Sequence, residues 1–125
     1  MLRDLDLSKY KKVVVACGYT DLRVGAKGLV NLVQYKYGYD FYDKEAIFLF
    51  CGRKASTIKC VLYEGDGTVV LTKYKKGGRF QWPRTPQEAR RISPSQFRRL
   101  MSGFSIDDSI PATEPSGKLP SRKAM

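Results

Sequence analysis

Residues 46–74 read AIFLFCGRKASTIKCVLYEGDGTVVLTKY, and the punctuation of that stretch decides the fold. Ala46–Cys51, Thr57–Tyr63 and Thr68–Tyr74 are runs of strand length, rich in β-branched and aromatic residues. The Glu64-Gly65-Asp66-Gly67 link supplies the Asp-Gly chemistry of a tight hairpin. A fourth run, Gly78–Trp82 (GRFQW), follows the reversal at Lys76-Gly77-Gly78. Four strand-like segments in such close order predict an antiparallel meander.

Upstream, Lys12–Cys17 (KVVVAC) is a β-branched apolar run that ends at Gly18 and a polar turn, and it reads as a short buried strand. Leu29, Leu32, Val33 and Lys36 or Tyr37 then recur at steps of three and four, which predicts a helix from about 24 to 37. Thr20 or Asp21 is available as its N-cap, and Gly38 is placed to end it. Downstream, Thr85-Pro86-Gln87-Glu88 and Ser93-Pro94-Ser95-Gln96 both have the order of a capping box with proline at the first helical position. Phe97, Leu100, Met101 and Phe104 form the apolar stripe of the second helix. The expected fold class is α+β: a small antiparallel meander of about five strands, packed by one helix after the first strand and one or two short C-terminal helices. Residues 1–110 form a single basic domain in this reading. Residues 111–125, with three prolines in fifteen positions, form a flexible tail.

The chain has 125 residues, 42% of them hydrophobic, and a net charge of +11. A domain of this size buries about two-thirds of its unfolded surface, so a large multi-domain enzyme is excluded. Histidine is absent, which removes serine–histidine and cysteine–histidine nucleophiles. Cys17, Cys51 and Cys60 lie inside apolar runs, without the spacing of a zinc site, and read as small buried hydrophobes in a reducing, cytoplasmic protein. No apolar stretch has the length of a signal peptide or membrane span. No cofactor and no metal is implied.

Charge is unevenly placed: residues 53–99 hold twelve Lys and Arg against Glu64, Asp66 and Glu88. The plain alternative is a solvated rim, but a surplus of nine in one block favours a polyanion-binding face. The candidate nucleic-acid contacts are Arg53, Lys54, Lys59, Lys73, Lys75, Lys76, Arg79 and Arg84, with alternation placing Lys73 and Lys75 on one face. Arg23 and Lys27 join them, flanking a helix start where free N–H groups favour anions. The intervening Gly25-Ala26-Lys27-Gly28 is too short for a nucleotide loop, and reads equally as close helix packing.

Tyr35–Tyr42 packs five aromatic residues into eight positions, and the packing of a core edge is favoured there over base stacking. Phe80 and Trp82 share one face and are expected in the core, leaving Arg79 outward. Asp21, Asp40, Asp43, Glu45, Glu64 and Asp66 are the carboxylates available to a metal-dependent nuclease, yet most have simpler duties as caps and turns.

Taken in order, Thr20-Asp21-Leu22-Arg23-Val24-Gly25, Gly28-Leu29, Phe48-Leu49-Phe50-Cys51-Gly52-Arg53, Lys59 and Gly78-Arg79-Phe80-Gln81-Trp82-Pro83 resemble one family. It is TnpB, the accessory protein of insertion-sequence-66-type elements, distinct from the RNA-guided nuclease of the same name. The resemblance spans about residues 12–106. Its matching positions are Asp21, Arg23, Gly25, Gly28, Arg53, Lys59, Lys73, Gly78, Arg79, Trp82 and Pro83. It implies a non-catalytic protein that assists DNA transposition beside a separate transposase and a sister accessory protein.

The chain departs from the family pattern at Asp40-Phe41, which lacks a proline, at Tyr63-Glu64, and at Lys73-Tyr74-Lys75-Lys76, which is more basic. The leading expectation is DNA binding through a basic face. The alternatives are a module that docks on the transposase without touching DNA, and a metal-dependent nuclease.

Overall fold

The structure, a computed structural model, describes residues 1–85 and 88–106. Five strands, β1 (Lys12–Ala16), β2 (Ala46–Cys51), β3 (Thr57–Tyr63), β4 (Thr68–Tyr74) and β5 (Ala89–Ile92), form one sheet in the order β4-β3-β2-β1-β5. A continuous helical segment joins β1 to β2: a 3-10 turn at Leu22–Val24, α1 at Gly25–Asn31 and a wider π turn at Leu32–Lys36. Helix α2 (Pro94–Met101) follows β5.

Both faces of the sheet are covered, which is why VVVA and AIFLFC are continuous apolar runs rather than alternating ones. One face presents Val13, Val15, Ile47, Leu49, Ile58 and Cys60 to Phe97, Leu100 and Met101 of α2. The other presents Val14, Phe48, Phe50 and Val61 to Leu29 and Val33 of the first helical segment and to Phe41. Full burial of side chains of this size contributes about 1.5–3 kcal/mol each. Cys17, Cys51 and Cys60 are buried thiols, and burial pushes those of Cys51 and Cys60 up to about 12.

The expected α+β class and five-stranded sheet are present, with the strands arranged differently. The meander comprises β2, β3 and β4 alone, and β1 lies parallel to β2, with Val13 opposite Ile47. A parallel pair needs a crossover of a dozen or more residues, and the chain carrying α1 provides it. The fifth strand is Ala89–Ile92, antiparallel to β1, instead of Gly78–Trp82. Gly77 and Gly78 both have positive φ (72° and 70°), which turns the chain off the pleat after β4.

Residues 79–85 then run as a strap. Phe80 and Trp82 are buried as expected, but as plugs in the α2-side core. Phe80 N donates to Ala55 O (2.7 Å), and the Trp82 indole N–H donates to Ala16 O (2.8 Å). Downstream of the capping box expected at Thr85, Ala89–Ile92 is strand β5, and Pro86 and Gln87 of that box lie outside the described residues.

The second capping box is complete: Ser93 N donates to Gln96 Oε1 (2.8 Å) and Gln96 N to Ser93 Oγ (3.2 Å). Helix α2 ends at Met101, so Phe104 falls past the stripe and is 58% exposed, its ring beside the Arg99 guanidinium. Asp21 caps the first helical segment by accepting from Arg23 N (3.0 Å), and Gly38 follows its end with φ +74°. The expected tail over residues 111–125 lies outside the described residues.

Candidate nucleic-acid interface

The parallel pairing places the C-terminal ends of β1 and β2 side by side. Thr20 N donates to Cys51 O (2.8 Å), tying the loop after β1 to the end of β2. Gly52 permits the close approach: a Cβ there would stand 3.3 Å from Leu22 Cδ1. The β2–β3 turn is held rigidly as well. Ala55 adopts φ +57°, a left-handed conformation that costs about 1–2 kcal/mol for a residue with a Cβ. Its N–H donates to Gly52 O (2.9 Å), its carbonyl accepts from Phe80 of the strap, and its methyl is buried.

These two pieces of chain wall a groove of about 780 Å³. Tyr19, Thr20, Asp21, Leu22 and Arg23 form one side, and Gly52, Arg53, Lys54 and Ser56 the other. Thr57 and Lys59 of β3 and Tyr74 of β4 complete it. Four cations therefore meet one carboxylate, and that carboxylate is already engaged. Asp21 receives two bonds from the Arg23 guanidinium, both 2.9 Å, as well as the Arg23 backbone N–H. Arg23 holds the Asp21 carboxyl down to about 2, so it stays ionised. Arg53, Lys54 and Lys59 remain as the uncompensated charge.

The ten basic residues singled out by sequence do not share one surface. Arg23, Arg53, Lys54 and Lys59 line the groove, and Arg84 lies against it with its guanidinium carbon 5.9 Å from the Tyr19 ring centroid. Lys27 is exposed on α1 outside the groove lining, and Lys76 and Arg79 are exposed around the Gly77-Gly78 turn. Lys73 and Lys75 share a face, as alternation requires, and it is the α2 face. Their ammonium groups lie 5.7 and 5.6 Å from the Phe80 ring centroid, and Lys73 Nζ donates to Met101 O (3.1 Å). Burial first, then the charges of Arg3 and Lys75, lower the Lys73 pKa.

Sequence reasoning missed Tyr19 and Tyr74. The signal was present for Tyr74: in β4 it alternates with Lys73 and Lys75, so it belongs to the opposite, groove-side face. The glycines of the GAKG stretch serve the backbone. Gly25 has φ +74° at the entry to α1, and a Cβ on Gly28 would meet Val24 Cβ at 2.6 Å.

The acidic candidates fall in separate turns: Asp21 at the groove, Asp40, Asp43 and Glu45 ahead of β2, and Glu64 and Asp66 between β3 and β4. Asp43 Oδ2 pairs with Lys12 Nζ at 2.7 Å, Glu45 pairs with Lys11, and Asp40 accepts from Tyr42 N. Among the described residues no three potential metal ligands come together.

The sequence family described as IS66 Orf2 like protein matches residues 11–110. The chain belongs to that family. Two curated relatives, both from Sinorhizobium fredii, carry the names Uncharacterized protein y4hO and Uncharacterized protein y4jC. The first is 37% identical over 93 residues, covering 74% of this chain and 80% of the relative. The second is 31% identical over 97 residues, covering 78% and 82%. No solved structure gives a significant match.

Membership of the IS66 Orf2 like family ties the chain to the accessory proteins of transposition. The positions on which the sequence resemblance rests divide in space: Asp21, Arg23, Arg53 and Lys59 line the groove, while the Trp82 indole is bonded to Ala16 O at the end of β1. Among the described residues no helix is long and apolar enough to cross a membrane.

Proposed function

We propose that this IS66 Orf2 like protein is a non-catalytic, cytoplasmic accessory factor that binds DNA of its element through the groove between the Tyr19–Arg23 loop and the Gly52–Thr57 turn. The observation that carries this reading is the convergence of Arg23, Arg53, Lys54 and Lys59 on one concave surface whose single carboxylate is already engaged. A polyphosphate is the natural counter-charge for such a surface, because each neutralised phosphate releases condensed cations.

The non-catalytic part rests on the pairing of Asp21 with Arg23, Asp43 with Lys12 and Glu45 with Lys11, and on there being no three potential metal ligands together among the described residues. The element's transposase and its sister accessory protein are the expected protein partners, assembled around the same DNA. Exposed Tyr35, at the end of the helical segment, is the contact that a purely protein-docking role would use.

Binding of purified protein to terminal-repeat duplex and to a scrambled duplex, across a salt series, tests the reading. With about three phosphates engaged by Arg53, Lys54 and Lys59, log affinity falls against log salt with a slope of about −2.7, at −0.9 per phosphate. The substitutions Arg53→Gln, Lys54→Gln and Lys59→Gln together flatten the slope. Absence of DNA binding at low salt, with retained capture of the transposase lost on Tyr35→Ser, would replace this function by the docking role.

A further inference from the structure

Resting on the DNA-binding reading, we infer that the groove takes the unpaired nucleotides of a single strand, with bases against Tyr19 and Tyr74 and phosphates against Arg53, Lys54 and Lys59. Two tyrosines line the same basic groove: Tyr74 is 75% exposed, and Tyr19 is 46% exposed with the Arg84 guanidinium carbon 5.9 Å from its ring centroid. Large aromatic rings left in water within a cationic groove are the combination that binds single strands, since every base has a face to stack and every linkage a charge.

The other aromatic run of the chain supplies a contrast. Between residues 35 and 42, Phe41 is fully buried, and Tyr39 packs edge-on against Phe48 at 6.0 Å. Phe41 and Tyr39 complete the α1-side core, and the exposed Tyr35 and Tyr42 of the same run do not line the basic groove; Tyr19 and Tyr74 line it and belong to neither core cluster.

Shape points the same way. Duplex readers insert a helix or a two-stranded ribbon into the major groove, which requires a protruding element. Here the cations and rings line a concavity of about 780 Å³, within the range of pockets that enclose small organic ligands of roughly 300–1,000 Å³. Unstacked nucleotides can enter such a space with their bases, and a paired helix presents it with only its backbone. Thr20, Ser56 and Thr57 add hydroxyl donors and acceptors to the same lining.

The test compares a labelled twelve-nucleotide single strand with the duplex of the same sequence, by fluorescence anisotropy at fixed salt. Three proteins are measured: the native chain, Tyr19→Leu with Tyr74→Leu, and Arg53→Gln with Lys54→Gln and Lys59→Gln. Circular dichroism confirms that each is folded. The native chain is expected to bind the single strand more tightly than the duplex. The tyrosine variant should lose about thirtyfold or more on the single strand, from two stacking contributions of at least about fivefold each, and leave duplex binding unchanged. The basic variant should weaken both.

Equal or tighter duplex binding by the native chain, or equal losses on both substrates in the tyrosine variant, would overturn the inference and leave the DNA-binding reading standing. Failure of the native chain to bind either substrate would overturn that reading and the inference with it.

Discussion

Lys54 and Lys73 are the same residue type in the same basic block, and they occupy different physical situations. Lys54 projects from a turn pinned by Ala55 and the strap, with its head in water beside Arg53. Lys73 lies along the α2 side of β4, its stem covering apolar surface, its ammonium over Phe80 and bonded to Met101 O. The first is a charge held ready for an external anion, and the second is a component of the domain's own closure. Net charge therefore overstates the size of the interface, because part of it is consumed in holding α2 against the sheet.

The contrast can be broken most forcefully at the ring beneath the lysines. Phe80→Ala removes the plug shared by Lys73 and Lys75 and should cost about 3–5 kcal/mol, read from the shift of a urea unfolding midpoint. If the midpoint barely moves, Phe80 is not the plug on which the α2-side lysines rest.

Next in size is the groove. Neutralising Arg53, Lys54 and Lys59 together should reduce the salt slope of DNA binding by about 2.7, whereas Lys73→Gln with Lys75→Gln leaves it unchanged. Equal reductions from the two sets would merge the two surfaces into one extended face.

A smaller effect is expected at Lys73 alone. Lys73→Gln removes the bond to Met101 O, about 1 kcal/mol of stability. The pH dependence identifies the cause. An amine with a pKa lowered in the folded chain holds its proton less readily there than when unfolded, so its charged form costs stability below the folded pKa. That cost is relieved as pH rises through the folded pKa toward the ordinary value of 10.5. Native stability relative to Lys73→Gln should therefore increase between neutral pH and 10.5, as measured by urea titrations of both proteins.

The smallest effect lies within the groove. Asp21→Asn keeps an oxygen for the helix cap and releases Arg23, so DNA affinity should rise about twofold to fivefold, the scale of one exposed ion pair. A fall in affinity on anisotropy titration would mean that the Asp21–Arg23 pair positions the loop more than it screens the charge.

Much of the scaffold was legible because local signals matched their tertiary use. The Ser93–Gln96 capping box, the Asp21 cap and the apolar runs of β1 and β2 each carry their own reason in the sequence, whereas the β3–β4 hairpin turns at Gly65-Asp66, with Gly65 at φ +104°, rather than at the expected Asp66-Gly67 step. Strand β5 carried no such reason. Its four residues Ala-Arg-Arg-Ile bury only Ile92 fully, and it earns its place by pairing with β1 at the sheet edge. The Phe80–Trp82 alternation was read correctly for burial and wrongly for pairing, since a plug and a strand present the same pattern. The parallel placement of β1 depends on a crossover, which no short window displays.

The groove was half legible. Its cations stand in the block 53–59 and at Arg23, but their union with Tyr19 and Tyr74 is produced by β1 lying beside β2 and by the side of β4 on which Tyr74 falls.

Strand β1 has a further consequence for how the protein comes into being. It is flanked by β2 on one side and β5 on the other, so Val13 finds its two cross-strand neighbours at Ile47 and Ile92. On a ribosome the meander β2–β4 is complete while β1, though made first, still lacks one neighbour. Its Val13–Ala16 backbone then has an open edge of apolar side chains until Ile92 emerges. Pairing over such sequence distance forms late, because the loop must close before the contacts reward it. The oldest strand of the nascent chain is thus among the last to be sealed, and its sealing awaits the short arginine-bearing strand just ahead of α2.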